Sequence, residues 1–328
     1  IRDVYKRQVN MSTKKEIKYF LFIVIFLDFL IGITCKYFYK VDNAGVITLV
    51  MSLVPAFIAI LLEKDFKLKD LSKDKFSVIY SLYFILFIFF YILSFFSEKV
   101  LNNINFVVSL GWLISLYVLT IDDKRLRGNF NFSLFLKWAF IVIIIDLFRL
   151  GILSFYFQSE VDFTDLLNRL AGTFTVGLIS TTFNLIFTMG EEYGWRYFSQ
   201  TRLQSLYGNR IGVLLTGLMW GLAHFPLYCL VFYSGTEGLY AGIEITVFCI
   251  AIGIVLGLIY MESRSVIMVT FIHLLHNMFM ANVNSTDYNQ DFIFTKEFLF
   301  VSVIINIVFY TPFLLNKNVI RKLMPAIV

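Results

Sequence analysis

Residues 77–96 read SVIYSLYFILFIFFYILSFF, a run of 20 residues with no charge in it. A helix of roughly 20 apolar residues is what spans the hydrocarbon core of a bilayer. Helices and closed barrels are the spanning structures that satisfy their own backbone, and runs this long exceed barrel strands. Nine more candidates follow the same rule, at about 18–36, 45–62, 104–121, 134–156, 167–190, 211–232, 239–260, 265–281 and 297–315. Composition agrees. Of the 328 residues 59% are hydrophobic and only 16% charged, whereas about a quarter are charged in a soluble domain. The mean hydropathy is +0.77. The expected fold is all-α, a polytopic transmembrane bundle of about ten spanning segments.

The net charge of +5 does not point to nucleic acid, because the basic residues sit in short loops between the apolar runs. Lys14, Lys15 and Lys18 precede the first run, and Lys64, Lys67, Lys69, Lys73 and Lys75 follow the second. Lys124, Arg125 and Arg127, then Arg202 and Arg210, then Lys317, Arg321 and Lys322 continue on alternate loops. The intervening loop at 158–165 carries Glu160, Asp162 and Asp165. The positive-inside rule then places both termini in the cytoplasm, of a bacterial plasma membrane, after ten crossings. Cys35, Cys229 and Cys249 are too scattered for a disulfide framework or a cysteine metal site.

Four regions of one membrane domain are expected. Residues 1–10 precede Met11, whose MSTKKEIKYF reads as a natural start, so they are read as non-native upstream sequence. Residues 11–165 are N-terminal transmembrane helices, 166–281 form a helical core rich in motifs, and 282–328 hold the last helix and a cytosolic tail.

Three motifs fall on consecutive segments of that core: Glu191-Glu192-x-x-x-Arg196, Trp220-x-x-x-His224 and His273-x-x-x-Asn277. On a helix Glu192 and Arg196 are four apart, share a face and suit an ion pair. Glu191 points about 100° away and is left to face the bundle. The bland reading of this motif is a solvated surface pair at a helix end. His224 lies in an apolar run with Trp220 one turn before it, and Pro226, which lacks an N–H, is placed to kink the helix there. His273 and Asn277 share a face with His276 at its edge. Taken singly, Asn277 reads as interhelical glue, and a lone histidine reads as a satisfied core residue. Ionisable groups recurring inside a membrane are functional hypotheses by default. At 1.5 Å per residue His224 and Glu191 fall roughly 20 Å from the cytosolic helix ends, and His273 and Asn277 roughly 12–18 Å. One layer can hold them all.

These segments resemble the CPBP family of intramembrane proteases, which includes the prenyl-protein CAAX endopeptidases and the bacterial Abi-type membrane proteins. The matching stretches are GEEYGWRYFSQTRLQ (190–204), LMWGLAHFPLY (218–228) and SVIMVTFIHLLHNMF (265–279). SLVPAFIAILLEK (52–64) also resembles an earlier helix of many bacterial members. Trp220 stands where many members have Phe. The resemblance implies that residues 166–281 are a catalytic core and that Glu191, His224, His273 and Asn277 form the active site. Glu192, Arg196 and Trp220 would support it. Two schemes are compatible. In one, Glu191, His224 and His273 bind Zn2+ and leave a position for water. In the other, Glu191 and His224 activate water while His273 and Asn277 stabilise the oxyanion. The partners implied are membrane lipid and a membrane-associated, prenylated or leader-peptide substrate cleaved near the cytosolic face. No HExxH is present, so a conventional zincin is not indicated.

Two other readings compete. A non-catalytic membrane scaffold or bacteriocin-immunity protein would keep the same residues for structure. A transporter would account for Asp28, Asp146, Arg149 and Glu244 within the apolar runs, although no internal repeat supports it. Asp146 and Arg149, three apart, are spaced to pair with one another.

Overall fold

The computed structural model describes residues 2–38, 44–64, 74–157, 168, 171–172, 175, 178–287 and 293–315. No strand occurs among them. The basic loop 65–73, the acidic stretch 158–165, most of the first half of 167–190 and the tail from 316 lie outside the described residues, so the loop charges there are not placed.

Each apolar run forms a helix. The elements are α1 (Arg2–Phe38), α2 (Ala44–Glu63), α3 (Lys75–Ser94), α4 (Glu98–Asn102), α5 (Asn105–Thr120), α6 (Lys124–Arg127) and α7 (Phe132–Tyr156). Then come α8 (Leu178–Glu192), α9 (Thr201–Tyr207), α10 (Asn209–Pro226), α11 (Gly235–Ser263), α12 (Val266–Asp287) and α13 (Lys296–Leu315). Residues 2–10, expected to be non-native, are wound into the start of α1. Side-chain caps set several starts. Asp74 accepts the Ser77 N–H at 3.1 Å, and Asn131 accepts the Leu134 N–H at 3.1 Å, satisfying donors that the first turn leaves open.

Eight helices among the described residues are long and apolar enough to cross a membrane. Two expected segments are not counted in that set: the described part of α8 begins only at Leu178, and within α12 a shorter apolar stretch, Val266–Ala281, is found. The outer faces explain the membrane assignment. Phe22, Phe26, Phe89, Phe106, Phe140 and Phe300 are each more than half exposed. A solvated protein would not leave apolar surface on that scale uncovered, and lipid covers it here.

The helix after Glu192 does not stop. It widens into a π-helical stretch at Tyr193–Gln200 and returns to α-helix through α9, so the helix runs on well past the expected end at residue 190. A second π-helical stretch, Leu227–Phe232, follows Pro226 directly. The proline removes the N–H that would bond to Leu222, and the chain unwinds there. Such widened turns are found most often at functional sites.

In the interior α8 packs against α2, α5 and α12. Its contact with α2 is a backbone-level approach. A Cβ on Gly194 would lie 2.3 Å from the Pro55 Cβ and 2.6 Å from the Pro55 carbonyl carbon. A Cβ on Gly190 would lie 2.4 Å from the Ser52 carbonyl oxygen. These two glycines, four apart on one face, let α2 bring Ser52 against Glu191. Asp146 does not pair with Arg149 as its spacing suggested. It bonds His276 Nδ1 at 2.7 Å, and the Arg149 guanidinium lies over the Phe248 ring at 4.3 Å. In an interior without water a nearby imidazole on another helix competes successfully with a neighbour on the same one.

Gly194→Ala is expected to lower the midpoint of thermal unfolding in detergent by an amount equivalent to about 1–3 kcal/mol, the usual range for overpacking. The measurement is a melt of the purified variant beside the parent, and an unchanged midpoint would mean that α2 and α8 are not in this contact.

Candidate active site

Adjacent carboxylates point to different faces of α8, as a 100° step requires. Each finds different partners. Glu192 is fully buried and accepts from Arg196 Nε at 2.9 Å, four residues on. Its other oxygen meets His273 Nδ1 at 2.8 Å. The solvated-surface reading of this motif is thereby excluded, since Glu192 and Arg196 are each 0% exposed. Arg196 also lays its guanidinium over the Trp220 ring at 4.7 Å, a favourable use of its cationic face.

Glu191 faces α2 and α10. Its Oε1 accepts from the Ser52 hydroxyl at 2.8 Å, and its Oε2 accepts from the Trp220 indole N–H at 2.9 Å. Two hydrogen bonds therefore fix the carboxylate plane. His224 Nε2 stands 3.9 Å from Glu191 Oε2, too far for a direct hydrogen bond and near enough for one small molecule to touch both. His224 Nδ1 meets the Trp220 carbonyl at 3.1 Å. A carbonyl only accepts, so Nδ1 carries the proton and Nε2 is left with its lone pair towards Glu191. His224 is half-buried where Glu191 is buried, so the imidazole is the more accessible of the two.

Trp220 organises the centre. Its ring meets His224 edge-on at 5.6 Å and His273 edge-on at 5.3 Å between centroids. The structure thus brings Glu191, Glu192, Arg196, Trp220, His224 and His273 into one connected cluster. Asn277 lies one turn past His273 on the same face. It is exposed and makes no hydrogen bond among the described residues, so its carboxamide is not joined to the cluster. Ser52 is the member that motif spacing did not single out. Its signal was the start of the 52–64 stretch, which carries both Ser52 and Pro55 to the face of α8.

A polar network outside the apolar layer anchors the end of α8. The Tyr193 hydroxyl donates to Glu63 at 2.8 Å and receives Arg125 Nη1 at 3.3 Å. Arg125 in turn pairs with Asp74 and Asp123. Burial pushes the Asp74 carboxyl upward, but the Ser77 hydrogen bonds and the Arg125 guanidinium outweigh it and hold the group below its usual range.

Arg196→Met is expected to leave Glu192 buried without its cation and to destabilise the fold by about 3–5 kcal/mol. The double variant Glu192→Gln with Arg196→Met is expected to recover most of that loss. Thermal unfolding of both variants in detergent checks the pair, and equal destabilisation of single and double variants would contradict it.

No curated protein and no solved structure matches the chain. Residues 171–279 match the family model described as Type II CAAX prenyl endopeptidase Rce1-like, and this span contains Glu191, Glu192, Arg196, Trp220, His224, His273 and Asn277. Over those residues this integral membrane helical bundle is similar to that endopeptidase family.

Proposed function

We propose that the protein is an endopeptidase that hydrolyses a peptide bond of a membrane-associated or lipidated substrate, near the cytosolic face, by water activated at Glu191 and His224. The observation that carries this reading is the Glu191 carboxylate, pinned by Ser52 and Trp220 and 3.9 Å from the free nitrogen of His224. A water molecule within reach of both can lose a proton to the pair as its oxygen attacks the scissile carbonyl carbon. The same proton then passes to the departing amide nitrogen as the C–N bond breaks, which returns the pair to its starting state.

The tetrahedral oxyanion needs donors. His273 gives its Nδ1 proton to Glu192, which is paired with Arg196 and so only accepts. For Nε2 to donate as well the ring must carry both protons, and Glu192 offsets that charge. Asn277, with its carboxamide unengaged, supplies the second donor as substrate binds. Both termini on the cytosolic side would set this layer towards the cytosol, and the half-buried His224 is the side from which a substrate reaches it.

The zinc scheme asks Glu191, His224 and His273 to share one ion. Among the described residues no three His, Cys, Asp or Glu side chains are grouped to hold a metal. Trp220 stands edge-on to both imidazoles.

The test is cleavage of a peptide library in lipid nanodiscs, read by mass spectrometry, with Glu191→Gln beside the parent and a chelator arm. Products from the parent, unaffected by chelator and reduced about 10²–10⁴-fold in the variant, are expected. No product from a well-folded parent would favour the scaffold or immunity reading, and products abolished by chelator would restore the zinc scheme.

A further inference from the structure

The buried stripe of α1 runs through Ile17, Phe20, Val24, Ile31 and Cys35, the three-and-four spacing of a helix face turned inward. Asp28 occupies the step between Val24 and Ile31 on that stripe and is only 2% exposed. Its Oδ1 has no hydrogen-bond partner among the described residues. A carboxyl buried with a free oxygen in a membrane domain is expensive, and an aliphatic residue would fill the stripe at no such cost.

Two contacts fix the height of Asp28 in the bundle. Two turns earlier, Phe20 packs edge-on against Trp195 at 5.4 Å and tilted against Phe198 at 4.9 Å, in the widened turn that follows Glu191 and Glu192. One turn later on the same face, a Cβ on Gly32 would stand 3.1 Å from the Pro226 Cβ, two residues past His224. Asp28 lies between these levels. Helix α1 packs against α2 and α10, the two helices that Glu191 faces, and it brings a buried carboxyl to that side.

We infer that Asp28 is a further catalytic residue, whose free carboxyl oxygen accepts the second hydrogen of the water activated by Glu191 and His224. The inference rests on the hydrolytic reading above. A water nucleophile has two O–H bonds. One is directed to the base, and the lone pair is aimed only if the other is held as well. Both oxygens of Glu191 already accept from Ser52 and Trp220, and His224 Nε2 offers one lone pair. A third acceptor fixes the remaining hydrogen and turns the oxygen lone pair towards the carbonyl carbon, the kind of orientation on which attack depends. A carboxyl oxygen accepts in either protonation state.

The experiment compares Asp28→Leu, Asp28→Asn, Glu191→Gln and the parent in nanodiscs, with cleavage kinetics and thermal unfolding on each. Asp28→Leu is expected to melt no lower than the parent, because an unpartnered polar group is replaced by an apolar one of similar size. Its kcat is expected to fall about 10²-fold with KM nearly unchanged. Asp28→Asn keeps a carbonyl oxygen in the same place and is expected to recover about tenfold or more of that loss. Asp28→Leu at parental kcat would overturn the inference while the hydrolytic reading stands. So would an Asp28→Leu that melts lower and regains stability and activity together in Asp28→Asn, since that is the signature of a structural role. A parent that cleaves nothing, like Glu191→Gln, would remove the hydrolytic reading and this inference with it.

Discussion

The ion pair between Glu192 and Arg196 is the constraint around which the site is arranged. Both groups are withdrawn completely from solvent, and charges so placed persist only when each is compensated. Compensation takes three directions at once. Arg196 holds one oxygen of Glu192, His273 holds the other, and the Trp220 ring covers the guanidinium. Those contacts come from three different helices, so one buried carboxylate sets α8, α10 and α12 relative to one another. Glu191 then has no cation left to pair with, and the 100° step of the helix turns it towards Ser52, the Trp220 indole and His224.

A second set of polar pins works on the far side of α12. His276 is bonded to Asp146 on α7 and stacked on Phe248 of α11, whose other neighbour is Arg149. The Ser302 hydroxyl of α13 donates to Glu244 of α11 at 2.8 Å. Lipid provides little hydrophobic drive for helices to associate, so packing and interhelical hydrogen bonds must orient them. Two histidines three residues apart are bonded to carboxylates on different helices, and α12 cannot rotate without breaking one of those bonds. Asp146, Arg149 and Glu244, three of the four residues that suggested a transporter, take part in these contacts.

The helical bundle was readable because twenty-residue apolar runs have few alternatives in a membrane, and because the three motifs carry their own spacing. Glu192 and Arg196 could be paired from sequence, since both lie on one helix. What the sequence did not disclose depends on distance across the fold. Ser52 reaches Glu191 only because Gly190 and Gly194 let α2 approach, and a glycine in a helix does not announce what it admits. Asp146 was assigned to Arg149 by proximity along the chain, yet a histidine from α12 bonds it. The π-helical stretches had only an indirect sign in Pro226. Eight helices meet the length and apolarity of a crossing helix among the described residues, and much of the expected 167–190 segment lies outside those residues.

The helices bearing Glu191 and His273 are held inside the bundle. Helix α8 packs against α2, α5 and α12, and α12 packs in turn against α7 and α11. Polar groups and widened backbone turns are tolerated at membrane depth only where protein or a water-lined cavity shields them from hydrocarbon. Enclosure by these helices therefore lets the site hold its carboxylates, its imidazoles and its distorted turns together, and it leaves His224 as the half-buried point at which water and a peptide bond can meet.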